Sequence, residues 1–137
     1  MNLMLQKIEN LKRILEKYHR EGIEDLLANL HPHEIYLVLK EIPEDKRIKI
    51  LLKIKKETLI KVLPKFDAST ISRFLSILDA KRASEIISLI PPDDRADMLM
   101  KISPITRARI MGELEEEVRK ETERILRYHP ETAGGLM

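Results

Sequence analysis

Apolar residues recur on a twelve-residue beat through most of the chain. One series runs Leu30, Ile42, Ile54, Phe66, Leu78, Ile90, Ile102, Leu114. A second runs Val38, Ile50, Val62, Phe74, Ile86, Met98, Ile110, and a third, one residue on, Leu39, Leu51, Leu63, Leu75, Ile87, Leu99, Met111. No member is polar. Self-similarity at a fixed period marks a repeat architecture. Residues 19–30, "HREGIEDLLANL", fit as an earlier copy, with Leu26, Leu27 and Leu30 in the same places.

Within one unit the apolar residues are spaced by three and four, as in Ile35, Val38, Leu39, Ile42 or Leu59, Val62, Leu63, Phe66. That spacing draws one stripe along a helix. Between stripes lie "HPHE", "PEDK", "KKET", "DAST", "DAKR", "PPDD" and "SPIT". Pro32, Pro92 and Pro104 share a phase that suits the first helical position, where a missing N–H costs nothing. Asp67, Asp79 and Ser103 sit just ahead of it, where a side-chain oxygen can cap free amides. Each unit is therefore a helix of roughly 8–10 residues and a tight turn.

Helices so short are marginal alone and must bury their stripes against neighbours. The expected fold is all-α, a stack of short helical repeats forming an α-solenoid whose hand the periodicity leaves open. Residues 1–18, with Leu3, Met4, Ile8, Leu11, Ile14 and Leu15, are expected to cap one end. Residues 19–128 form the solenoid. Its last helix, "EEEVRKETERILRY", breaks the beat, carries only Val118, Ile125 and Leu126 as a stripe, and reads as a connector leading away. In it Glu117 and Glu121 repel, while Glu115 and Arg119 attract.

Composition removes several function classes. With no cysteine there is no disulfide, thiolate metal site or cysteine nucleophile. Tryptophan is absent and aromatics make up 4%, so the core is aliphatic. A net charge of +2 does not point to nucleic acid. No apolar run approaches the roughly 20 residues that cross a bilayer, and the spaced apolar residues at the N-terminus are not a signal peptide. The chain is expected to be soluble in a cytoplasm.

Nothing in the motifs supports catalysis. His31-Pro32-His33 reads as a turn before a helix, since residues two apart do not share a helix face. His19 and His129 are isolated. Ser69, Thr70, Ser72, Ser76, Ser84 and Ser88 fall in polar helix phases with no nucleophile elbow, and no phosphate-binding glycine loop occurs. The run "KRIKILLKIKKETLIK" lacks stacking aromatics and reads as a solvated face. In "PPDDRADML", Asp93 and Asp97 are four apart on one helix face with Asp94 beside them. They either complement the positive helix start or offer carboxylate oxygens to Mg²⁺, which takes one or two carboxylates and keeps several waters.

The end of the chain, "RYHPETAGGLM", resembles the junction of MgtE-type magnesium channels, where a helical N-domain hands over to CBS domains. Tyr128, Pro130, Glu131, Thr132, Ala133, Gly134, Gly135, Leu136 and Met137 match that pattern, with His129 as an extra residue. "LHPHEIYLVLKEIPEDKRIKILLKI" is similar to the first repeats of that N-domain, and "IPPDDRADMLMKI" to its Pro-Asp-Asp segment. The resemblance implies a right-handed, armadillo-like superhelix and a non-enzymatic role: regulating a magnesium transporter by docking onto CBS domains when cytosolic Mg²⁺ is high. It places Asp93 and Asp97, with Asp94 between them, as metal ligands shared with that partner, and Lys61 where the family has a second acidic residue. Residues 129–137 would then be a linker stub leading into a CBS domain. In isolation the chain is expected to bind Mg²⁺ weakly or not at all. The alternative is a stand-alone protein-binding scaffold similar to the middle segment of the flagellar motor protein FliG.

Overall fold

The computed structural model describes Leu5, Gln6, Glu9, Arg13, Leu27 and residues 30–128. Those five early residues are helical, and Leu27 is buried. The rest of the expected capping helix, most of the expected copy at 19–30, and the 129–137 tail lie outside the described residues. All regular structure among the described residues is helical.

The chain divides into two compact units, Met1–Phe66 and Asp67–Met137. In the first, α1 is Pro32–Leu39, α2 Glu44–Leu51 and α3 Lys56–Val62, followed by a 3-10 turn over Leu63–Lys65. In the second, α4 is Ala68–Ile77, α5 Ala80–Leu89, α6 Pro92–Met100, α7 Pro104–Glu113 and α8 Glu116–Tyr128. Helices up to α7 hold 7 to 10 residues, and α8 holds 13. Within each unit alternate helices pack together: α1 with α3, α5 with α7, and α6 with α8.

The beat is the core. Every member of the three apolar series is buried except Leu30 and Met111, which are half-buried. In the first unit Phe66 anchors Tyr36 in an edge-on contact with ring centroids 5.1 Å apart, and the Arg47 guanidinium lies 5.8 Å from the Phe66 ring centre. The second unit is built around Ile71, Phe74, Leu75, Ile87, Ala96, Met98 and Leu99.

Helix starts follow the expected chemistry. Pro32, Pro92 and Pro104 each occupy the first helical turn. Asp67 accepts from the Thr70 N–H at 3.2 Å, Asp79 from Arg82 at 2.8 Å, and Ser103 from Thr106 at 3.2 Å. His31 caps α1: its Nδ1 accepts from the His33 N–H, while the Glu34 carboxylate accepts from the His31 N–H. Asp79→Ala leaves the start of α5 without this cap and is expected to cost about 1 kcal/mol. A urea titration followed by circular dichroism reads the loss, and an unchanged midpoint would remove the cap from the account.

Three helix ends share a device that composition does not announce. At the end of α1, Arg47 Nε donates to the Leu39 carbonyl and its Nη2 to the Lys40 and Ile42 carbonyls, each at 2.9 Å. At the end of α6, Arg107 donates to Leu99 at 2.8 Å and Ile102 at 3.4 Å. At the end of α5, Arg95 donates to Ile87 at 3.1 Å, Ser88 at 3.4 Å and Ile90 at 3.0 Å. The last carbonyls of a helix lack intrahelical donors and carry the negative end of its dipole. A planar guanidinium reaching back from the next helix satisfies several of them at once.

Two expectations change. Thr70 and Ser84, read as polar-phase residues, are buried. Ser84 is satisfied by donating from Oγ to the Lys81 carbonyl at 2.7 Å, so a small hydroxyl folds back on its own helix. And α8, read as leading away, packs on α6 through a buried Thr122. Its surface ion pair is Lys120 with Glu116, 3.0 Å apart, rather than Glu115 with Arg119.

Candidate functional site: an exposed acidic helix

The sequence candidates Asp93, Asp94 and Asp97 all lie on α6, and all three are exposed. Asp93 and Asp94 occupy the first turn of a helix that starts at Pro92 and has no side-chain cap, so they face the positive end of its dipole. Asp97 stands one turn further along, four residues after Asp93. The opposite side of α6 is buried through Arg95, Ala96, Met98 and Leu99. Burial of that side leaves the three residues on the exposed side of α6.

Arg95 holds the helix in place. Besides capping α5, its Nη1 donates to Glu121 Oε1 at 2.9 Å and to Thr122 Oγ1 at 3.0 Å, both on α8. Thr122 in turn donates to the Val118 carbonyl at 2.7 Å. Among the described residues no buried side-chain polar atom lacks a partner. The acidic surface thus sits on a helix clamped from both sides, α5 before it and α8 after it.

Among the described residues no three carboxylate or imidazole side chains come together as a set that could hold an ion. The three aspartates lie on the exposed side of one helix and form no closed cage. Mg²⁺ prefers octahedral oxygen ligation with only one or two protein carboxylates, so such a surface can supply part of a shell completed by water or by another surface. Lys61 is exposed on α3, in the other unit. In the sequence before and after it Lys46, Lys49, Lys53, Lys55, Lys56 and Lys65 are also exposed, whereas Arg47 within the same basic run is half-buried and structural. Sequence reasoning missed the arginine clamps; the signal was their position, since Arg47, Arg95 and Arg107 fall on the phase that Leu59, Ile71 and Ala83 fill with core side chains.

No helix among the described residues is long and apolar enough to cross a membrane. No curated protein matches the chain. Solved structures share its fold, among them two parts of magnesium-transport proteins. The cytosolic domain of the Mg²⁺ channel MgtE in complex with ATP aligns with a TM-score of 0.76 at 24% identity, over 93% of this chain and 53% of that one. The soluble part of a magnesium transporter aligns with a TM-score of 0.67 at 19% identity, over 98% of this chain and 51% of that one. The chain therefore spans about half the length of each. The family described as the MgtE intracellular N domain matches residues 30–131, most of the chain, and the chain belongs to that family.

Proposed function

We propose that this chain is the regulatory, magnesium-sensing part of a magnesium transporter, acting by docking onto CBS domains and so gating transport. The observation that carries the reading is the row of exposed carboxylates, Asp93, Asp94 and Asp97, on a helix whose inner side is locked by Arg95. Brought against a second acidic surface, these carboxylates repel it until Mg²⁺ screens them. Mg²⁺ then favours the docked form, because it binds that form better than the open one. Family membership supports the reading. So does the fold shared with the cytosolic domain of a Mg²⁺ channel and the soluble part of a magnesium transporter. A right-handed, armadillo-like winding of the short helices belongs to the same proposal and follows from the family; the packing of alternate helices within each unit suits a stacked-repeat fold. The role needs no catalytic group.

The test uses charge reversal in the intact transporter. Asp97→Lys is expected to lower the Mg²⁺ concentration that closes transport by about fivefold or more, because the lysine attracts the opposing acidic surface that Asp97 repels. The same substitution in the isolated chain should move the melting temperature little, because Asp97 is exposed. Calorimetric titration of the isolated chain with Mg²⁺ should show no saturable heat, since it holds only part of each ligand shell. An unchanged closing threshold, or tight Mg²⁺ binding by the chain alone, would return the aspartates to a helix-start role and favour the protein-binding scaffold.

A further inference from the structure

The arginine clamps recur at a fixed phase, and one of them does not close. Arg47, Arg95 and Arg107 each reach back to carbonyls eight and five residues earlier. Arg119 stands on α8 in the same phase, twelve residues after Arg107, where the matching carbonyls would be those of Met111 and Leu114. Among the described residues its side chain makes no hydrogen bond or ion pair, and the end of α7 has no arginine cap. A second observation falls on the same joint. Gly112, inside the last turn of α7, has nothing within 4 Å of the position a Cβ would take. No close packing demands a glycine there, yet glycine weakens a helix by raising the conformational entropy it must lose. The joint between α7 and α8, closed by the Leu114 N–H on the Met111 carbonyl at 3.2 Å, therefore lacks an arginine cap where an arginine is available, and is loosened by a residue that sterics do not require.

What holds α8 in place is the packing on α6, with the Arg95 contact to Glu121 and Thr122 at its centre. Arg47 and Arg107 serve the ends of α1 and α6. Arg95 also binds a helix remote in sequence, through its Nη1. That contact has one wet side, because the Glu121 side chain is 49% exposed, and one dry side at Thr122.

We propose that the α7–α8 joint is a hinge and that Arg95 with Glu121 and Thr122 is the latch that keeps α8 closed on the acidic helix. Opening swings α8 about residues 111–115, with α5 and α7 staying packed and α6 held to them by the Arg95 and Arg107 caps. In the open form Arg119 is free to take the vacant capping position at the end of α7, replacing the bonds that the latch gives up. The latch is thus a switch in the direction α8 takes from the unit, referenced to the face that carries Asp93, Asp94 and Asp97. The assignment stands without the magnesium reading, because it concerns α8 alone.

The absence of cysteine makes the test direct. Lys101→Cys and Arg124→Cys, both at exposed positions, place two spin labels across the α6–α8 packing for distance measurement by pulsed electron resonance. The parent is expected to give one narrow distance. Adding Glu121→Ala with Thr122→Val removes the latch and leaves the Arg95 cap on α5, and should produce a second, longer distance in a tenth or more of molecules. Amides of α8 should then exchange at least tenfold faster, with those of α5 and α6 unchanged. Adding Gly112→Ala should reduce the longer population, and adding Arg119→Gln should reduce it further. Arg107→Gln, which removes a cap but no latch, should leave a single narrow distance even as it lowers the melting temperature. A single distance in the latch variant, faster exchange spread over α5 and α6, or no response to Gly112→Ala would overturn the hinge.

Discussion

Phe74→Ala is expected to lower the unfolding free energy by about 3–5 kcal/mol. Phe74 is the largest of the fully buried side chains, on α4 beside the buried Ile71 and Leu75. Removing the ring takes away its transfer free energy and leaves a void that neighbours fill only in part. Short helices have little else to rely on, since their hydrogen-bonded turns do not persist alone. A domain of this size is stable by about 5–15 kcal/mol, so the loss consumes a large share of that margin. Phe74→Leu keeps most of the volume and should cost far less. Urea denaturation followed by far-ultraviolet circular dichroism reads both. A cost below about 1 kcal/mol for the alanine would mean that the beat does not mark the packed centre of the second unit.

The twelve-residue beat was sufficient to locate that centre because each series member must return to the same side of its helix. Ile50, Val62, Phe74 and Ile86 lie on four successive helices, α2 to α5; by phase they are the same position, and all are buried. The caps were equally legible, since Asp67, Asp79 and Ser103 have one local task that depends on residues three ahead. Division into two units was not legible, because the beat runs through Phe66 and Asp67 without a break. Nor were the clamps. An arginine amid lysines looks like part of a solvated face, and only the phase of Arg47 separates it from Lys46 and Lys49. Thr70 and Ser84 were misplaced for a related reason: a hydroxyl can be buried if its own helix supplies an acceptor, as the Lys81 carbonyl does for Ser84. For the candidate site, the spacing of Asp93 and Asp97 showed a shared exposed face. It could not show what faces them, because no other carboxylate or histidine among the described residues completes a set with them.

Arg95→Ala is expected to cost about 3 kcal/mol, the low end of the range for breaking a buried ion pair. Two features place it there. Glu121 is half-exposed, so once abandoned it regains water rather than remaining a stranded charge. The Ile87 and Ile90 carbonyls and the Thr122 hydroxyl are in buried surroundings and lose donors that water does not easily replace. The capping arm should therefore outweigh the ion-pair arm. Glu121→Ala alone is expected to cost under about 1 kcal/mol, and that cost should shrink as salt is raised. Arg95→Lys keeps the charge but replaces a five-donor fork by a compact ammonium that cannot reach α5 and α8 together, and should still cost about 2 kcal/mol. Arg107→Ala, which gives up bonds to Leu99 and Ile102 without a remote ion pair, should fall between Arg95→Ala and Glu121→Ala. Chemical denaturation of the four variants at low and high salt checks the order. If Glu121→Ala proved as costly as Arg95→Ala, the ion pair rather than the carbonyl cap would be what holds α6 between its neighbours.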